Sequence, residues 1–67
     1  MTGPDHGGVY FEFTRIGSVV KVAAIDGATG LEVSVMGPAG ATQADLQQLA
    51  LGKLKARLAA AETGKNR

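Results

Sequence analysis

The sequence predicts an α+β fold, in which a three-stranded antiparallel β-meander is followed by one C-terminal amphipathic α-helix (βββα). Three observations support this prediction. Apolar and polar residues alternate over three short stretches between residues 9 and 36, glycine-containing segments separate these stretches, and the residues after 42 are mostly good helix formers. We expect a flexible leader at residues 1–8, a single domain at residues 9–62 and a polar tail at residues 63–67.

The first two stretches are expected to form a hairpin. We interpret Ile16-Gly17 as a two-residue loop, because glycine can supply the positive φ that tight turns need. This loop sets Phe13 opposite Val20 on one face and Glu12 opposite Lys21 on the other. Apolar and oppositely charged cross-strand pairs of this kind stabilise a sheet, so the pattern favours this register.

The third strand is expected to follow a turn at residues 26–30, in which Asp26 caps the turn and does not act as a base. We expect Val22 to pair with Val33, and the segment Gly37-Pro38-Ala39-Gly40 to end the sheet. The helix-facing side of the sheet is predicted to consist of Val9, Phe11, Phe13, Val20, Val22, Ala24, Leu31, Val33 and Val35.

The helix is expected to run from about Gln43 to Glu62. Thr42 is a favourable N-cap residue, and Asp45 follows it at the position of the capping-box acid. At 100° per residue, one side of the helix is apolar and should face the sheet. That side consists of Leu46, Ala50, Leu51, Leu54, Leu58 and Ala61.

Composition argues against an enzyme. The chain has no cysteine, and its single histidine, His6, lies in the glycine-rich leader and is expected to be solvated. Ser18 and Ser34 have no base nearby in the sequence, so a nucleophilic triad lacks its parts. We therefore expect no catalytic residue, no cofactor and no metal site.

The cytoplasm is the expected location of the protein. The first residues lack the apolar core of a signal peptide, and no apolar run approaches the roughly 18 residues of a membrane span.

A protein partner is expected, because one helix can cover only one face of the sheet and the other face is partly apolar. We expect either self-association or membership of a larger assembly. The predicted partner interface combines the uncovered sheet face with a row of small residues on the helix. It consists of Tyr10, Glu12, Lys21, Ile25, Glu32, Met36, Gly52 and Ala56.

Nucleic-acid binding is the alternative. The net charge of +1 is too small to indicate nucleic-acid binding by itself, but the C-terminal third of the chain is basic. The residues that would contact nucleic acid are Arg15, Lys53, Lys55 and Arg57. A catalytic subunit whose partner supplies the missing groups ranks third.

Several short motifs resemble a family of short alphaproteobacterial proteins that have no assigned activity, over roughly residues 8–58. The motifs are Val9-Tyr10-Phe11-Glu12-Phe13, Gly17, Val20-Lys21-Val22, Ala24-Ile25-Asp26, Thr29-Gly30 with Glu32, Gly37-Pro38, and Leu49-Ala50 with Lys53-Leu54. The resemblance implies a domain of unknown function with a β-meander and a C-terminal helix, and it assigns no role to any residue.

Overall fold

The computed structural model describes residues 8–65 and contains three strands and one helix. They are β1 (Val9–Ile16), β2 (Val19–Asp26), β3 (Glu32–Pro38) and α1 (Gln43–Lys65). The strands form one antiparallel sheet in the order β1-β2-β3, which confirms the predicted βββα fold. Residues 1–7 of the expected leader, among them His6, lie outside the described residues. Residues 66–67 of the expected tail lie outside them as well.

The first hairpin differs in register from the prediction. Its loop is Gly17-Ser18, with Gly17 at a φ of 61° and Ser18 at a negative φ, the sign pattern of a type II′ turn. The prediction of an Ile16-Gly17 loop was therefore wrong by one residue, and the pairing is shifted by two. Phe13 lies opposite Val22, not Val20.

The predicted pairing of Glu12 with Lys21 was wrong for the same reason. Glu12 lies opposite Ala23, and Lys21 lies opposite Thr14 on β1 and Met36 on β3. Because side chains alternate with a period of two, a shift of two residues leaves every side chain on its expected face. The faces of the hairpin are therefore as predicted, although the partners are not.

The second hairpin has the same kind of shift. Val22 pairs with Val35, so the predicted pairing of Val22 with Val33 was wrong. Asp26 is buried in the connecting turn, and one carboxylate oxygen accepts hydrogen bonds from the backbone N–H of Thr29 at 2.9 Å and from its hydroxyl at 2.7 Å. The predicted turn-capping role of Asp26 is confirmed.

Strand β3 continues through Gly37 and Pro38, which the sequence assigned to the break after the sheet. Proline is tolerated here because β3 is an edge strand, where one side of the backbone has no strand partner. Gly37 lies beneath Leu46 of the helix, and a Cβ at this position would overlap the Leu46 side chain. The absent side chain lets the helix pack closely on β3.

Helix α1 begins as predicted after Thr42. The carbonyl of Thr42 accepts a hydrogen bond from Leu46 N–H at 3.2 Å, and its hydroxyl donates to the Asp45 carboxylate at 2.6 Å. The helix extends to Lys65, three residues past the expected end at Glu62 and into the segment assigned to the tail.

The core lies between α1 and the central part of the sheet. Of the predicted helix stripe, Leu51 and Leu58 are half-buried and Ala61 is exposed. The 23-residue helix is about 34 Å long, whereas the seven residues of β3 span about 23 Å, so the end of the helix projects past the sheet. Including Ala61 in the core-facing stripe was therefore wrong. The buried cluster consists of Val22, Ala24, Val33, Leu46, Ala50 and Leu54.

Candidate interaction surface

The sheet face that points away from α1, called the open face, is covered by no other element among residues 8–65. The molecule is 16 Å thick in its shortest dimension, which corresponds to two layers, one of helix and one of sheet. The side chains of this face belong to alternate residues of the three strands. They are Tyr10, Glu12, Thr14 and Ile16 of β1, Val19, Lys21, Ala23 and Ile25 of β2, and Glu32, Ser34, Met36 and Pro38 of β3.

The open face is apolar at its ends and polar in its middle. At one end Tyr10 lies beside Ile25, and at the other Ile16 lies beside Val19, with Met36 one row away and 59% exposed. The middle row of Glu12, Ala23 and Ser34 separates these apolar ends. Six of the eight residues predicted to contact a partner therefore share one surface, namely Tyr10, Glu12, Lys21, Ile25, Glu32 and Met36.

Gly52 and Ala56, the other two predicted interface residues, lie elsewhere. Both are exposed on α1, which packs on the face opposite to the open face. A Cβ added at Gly52 would meet no atom within 4 Å, so no close neighbour explains this glycine. The sheet and helix parts of the predicted interface thus lie on opposite sides of the molecule, and one flat partner surface cannot contact both.

Helix α1 covers β2 and β3 more fully than β1, whose Val9 and Phe11 are half-buried against the core. It packs on β2 and β3, while the extensive contacts of β1 are with β2 alone. Phe13 of β1 lies on the helix-facing side of the sheet, as predicted, but it remains 37% exposed. A helix about 10 Å wide spans about two strands spaced about 4.8 Å apart, so part of the third strand is expected to be less covered.

The outer edge of β1, called the β1 edge, consists of the backbone groups of Val9, Phe11, Phe13 and Arg15. Gly27 N–H donates to the Gly8 carbonyl at 2.8 Å, which makes these two residues a hydrogen-bonded pair of the β1–β2 ladder. Hydrogen-bonded and non-hydrogen-bonded pairs alternate along an antiparallel ladder. The N–H and C=O groups of the four odd-numbered residues therefore point away from β2.

The outer edge of β3, called the β3 edge, is partly blocked. Asp26 N–H donates to the Leu31 carbonyl at 2.8 Å, so by the same alternation Ser34 and Pro38 direct their backbone groups outward. Lys53 Nζ donates to the Ser34 carbonyl at 2.8 Å, and Pro38 has no N–H to offer. Lysine and proline are two devices by which proteins protect sheet edges from further pairing.

The four basic residues predicted for nucleic-acid binding do not form one surface. Arg15 lies on β1, where its Nε donates to the Gly17 carbonyl at 2.9 Å, and Lys53 is engaged with β3. Lys55 and Arg57 are exposed on α1, but residues two apart on a helix face different directions. The contact of Lys53 with Ser34 was not predicted, because it depends on how the helix docks.

One open groove of about 320 Å³ lies between the end of β1 and the start of α1. Its polar side chains are those of Arg15 and Gln43, and its apolar lining consists of Phe13, Val20, Ala39, Ala41 and Leu46. In the part of the chain that the structure describes, no three His, Cys, Asp or Glu side chains come together to hold a metal ion. Helix α1, in the same residues, is not apolar enough over sufficient length to cross a membrane.

Comparison with known families gives one finding. A family model described as a domain of unknown function (DUF6898) matches residues 6–61, which include all three strands and most of the helix. No curated protein and no solved structure matches the chain significantly. The match extends over most of the 67 residues, and the chain belongs to the DUF6898 family of domains of unknown function.

Proposed function

We propose that this domain is a non-catalytic protein-interaction module that docks a partner protein on its open face. The observation that carries the proposal is the open face itself, on which Tyr10, Ile16 and Met36 are all substantially exposed and which no described element covers. Exposed apolar side chains grouped on one surface are a common feature of protein interaction sites. Asp26 is the polar residue that is buried among the described residues. Its carboxylate accepts a hydrogen bond from Thr29 and stabilises a turn.

The chemistry of the open face favours a partner of complementary pattern. Two apolar ends flank a middle that carries Glu12 and Lys21 on neighbouring rows, with Glu32 beside Ile25. A partner would place apolar or aromatic side chains against the two ends and polar groups against the middle. Tyrosine is enriched among the residues that dominate binding energy, so Tyr10 is the expected anchor.

Affinity purification from native cells tests this proposal with a matched pair of variants. Tyr10→Ala combined with Met36→Ala removes apolar side chains from the open face, whereas Leu49→Ala removes one from the helix whose exposure is close to that of Met36. We expect the double variant to lose its captured proteins and Leu49→Ala to keep them. Loss of a binding anchor should weaken the affinity at least ~30-fold. Equal capture by both variants would contradict docking on the open face.

Nucleic-acid binding through the basic residues remains the alternative proposal, and a separate measurement tests it. Electrostatic binding to phosphates weakens steeply with salt, so a nucleic-acid-binding domain would bind heparin at low salt and release it as salt rises. Replacing Lys55 and Arg57, which are exposed, by glutamine would weaken that retention. Absence of retention at low salt would eliminate the alternative.

A further inference from the structure

We infer that two copies of this chain pair through their β1 edges, in antiparallel orientation, to form one continuous six-stranded sheet. The inference goes beyond docking on the open face and is independent of it, because the contact is made by the edge of the sheet. It commits to a second copy of the chain as the occupant of this edge. Both outer strands of the sheet, β1 and β3, have an edge without a strand partner among the described residues, and the structure distinguishes these two edges.

The β1 edge is more open to pairing than the β3 edge. Every second residue from Val9 to Arg15 directs its backbone N–H and C=O groups outward. These donors and acceptors are unpaired over the length of the strand. On the β3 edge, Lys53 occupies the Ser34 carbonyl and Pro38 lacks a donor. Helix α1 also lies over β2 and β3, so its bulk is away from β1.

The charges of β1 favour one register for the pairing of two copies. A two-fold axis at Glu12 would set this carboxylate opposite itself, and like charges directly opposite destabilise a sheet. A two-fold axis at Phe13 avoids this and keeps the outward backbone groups of both strands aligned. It pairs Phe13 with its copy and Arg15 with Phe11 of the second copy.

The remaining pairs in this register are also compatible. On the open face, Glu12 meets Thr14 of the second copy, and Tyr10 meets Ile16. The Arg15 guanidinium comes beside an aromatic ring, an arrangement that is favourable by cation–π attraction. Three hydrogen-bonded pairs, at Phe11, Phe13 and Arg15, supply about six new backbone hydrogen bonds.

The helices leave room for this arrangement. Each helix is centred over β2 and β3, so the two helices in the paired sheet are about four strand spacings, or about 19 Å, apart. A helix with its side chains is about 10–12 Å across, so the two helices do not collide. Pairing covers the β1 edge, brings the exposed Phe13 rings together and joins the two open faces into one surface.

A charge-exchange experiment at Phe13 tests the inference in the full-length chain. Sedimentation velocity at micromolar concentration should give a dimer for the wild type. Phe13→Lys and Phe13→Glu should each be monomeric, with the dissociation constant raised at least ~30-fold, because like charges meet at the two-fold axis. Mixing the two variants should restore a dimer, since lysine then meets glutamate.

Met36→Lys is the control, because it places a charge on the open face and away from the β1 edge. It should remain dimeric, even if it no longer binds a partner protein, so that the inference and the proposed function fail separately. The inference would be overturned if the wild type stayed monomeric up to ~100 μM. At that concentration, only dimers with a binding free energy weaker than about 5.5 kcal/mol would be missed. Phe13 variants that remain dimeric alone, or that stay monomeric when mixed, would also overturn it.

Discussion

Replacing Leu54 by alanine should destabilise the domain far more than the same replacement at Leu49. Both residues are leucines in the middle of α1, but Leu54 is 0% exposed in the core and Leu49 is 62% exposed. The pair therefore differs mainly in burial and shares its helix propensity. The comparison isolates the contribution of the contact between the helix and the sheet.

The expected magnitude follows from what each side chain loses. Leucine to alanine removes three carbon atoms, which at ~0.8 kcal/mol each is about 2.4 kcal/mol, and the cavity beneath α1 adds to this. We expect Leu54→Ala to lower the free energy of unfolding by about 3 kcal/mol. Leu49→Ala should change it by less than ~0.5 kcal/mol, because Leu49 is exposed and alanine is a good helix former.

Urea unfolding followed by far-UV circular dichroism measures both values at one protein concentration. With a slope near 1 kcal/mol/M for a chain this small, Leu54→Ala should shift the midpoint by about 3 M. A domain of this size has a total stability of about 3–10 kcal/mol, so the variant could be largely unfolded without urea. Equal shifts for the two variants, or a larger shift for Leu49→Ala, would refute the placement of the helix.

Two further predictions concern the helix contact and the register. Gly37→Ala should lower the free energy of unfolding by about 1–3 kcal/mol in urea titrations, because its Cβ overlaps a packed leucine, whereas Gly40→Ala should have little effect since nothing lies near it. Cysteines at Thr14 and Lys21, which are directly opposite, should form a disulfide on mild oxidation, and cysteines at Glu12 and Lys21, which are diagonal, should form it poorly.

The outcomes that would contradict these predictions are specific. A Gly37→Ala domain as stable as the Gly40→Ala domain would show that the helix does not pack closely on β3. Efficient oxidation of the Glu12 and Lys21 pair, with little oxidation at Thr14 and Lys21, would restore the register that the sequence favoured. The chain has no native cysteine, so the engineered thiols have no competing partners.

The fold class could be predicted from the sequence because it depends on periodicity, and periodicity survives small errors. The two-residue slip in each hairpin illustrates this. A slip of two leaves apolar residues facing apolar residues, so the pattern cannot distinguish the two registers. The decisive signal was local, since a Gly-Ser pair with glycine at the first central position fits a type II′ turn better than Ile16-Gly17 does.

The candidate surface could be predicted only in part, because it depends on where the helix docks. The pattern of alternation placed Tyr10 and Met36 on the open face, and they are exposed there. The contact of Lys53 with the Ser34 carbonyl could not be predicted, because no sequence pattern fixes how a helix lies over particular strands. The width of a helix relative to three strands indicates that β1 is the less covered strand, but it does not indicate that Phe13 is exposed while Phe11 is half-buried.

Amide hydrogen exchange along β1 tests the central claim, that the β1 edge pairs with a second copy, most directly. In a monomer, the inward amides of Glu12 and Thr14 are hydrogen-bonded to β2, whereas the outward amides of Phe11 and Phe13 are open to water. The pairing predicts that Phe11 and Phe13 become protected as protein concentration rises, while the outward amide of Ser34 on β3 continues to exchange rapidly. Rapid exchange of Phe11 and Phe13 at every concentration, with Glu12 and Thr14 protected, would contradict the account.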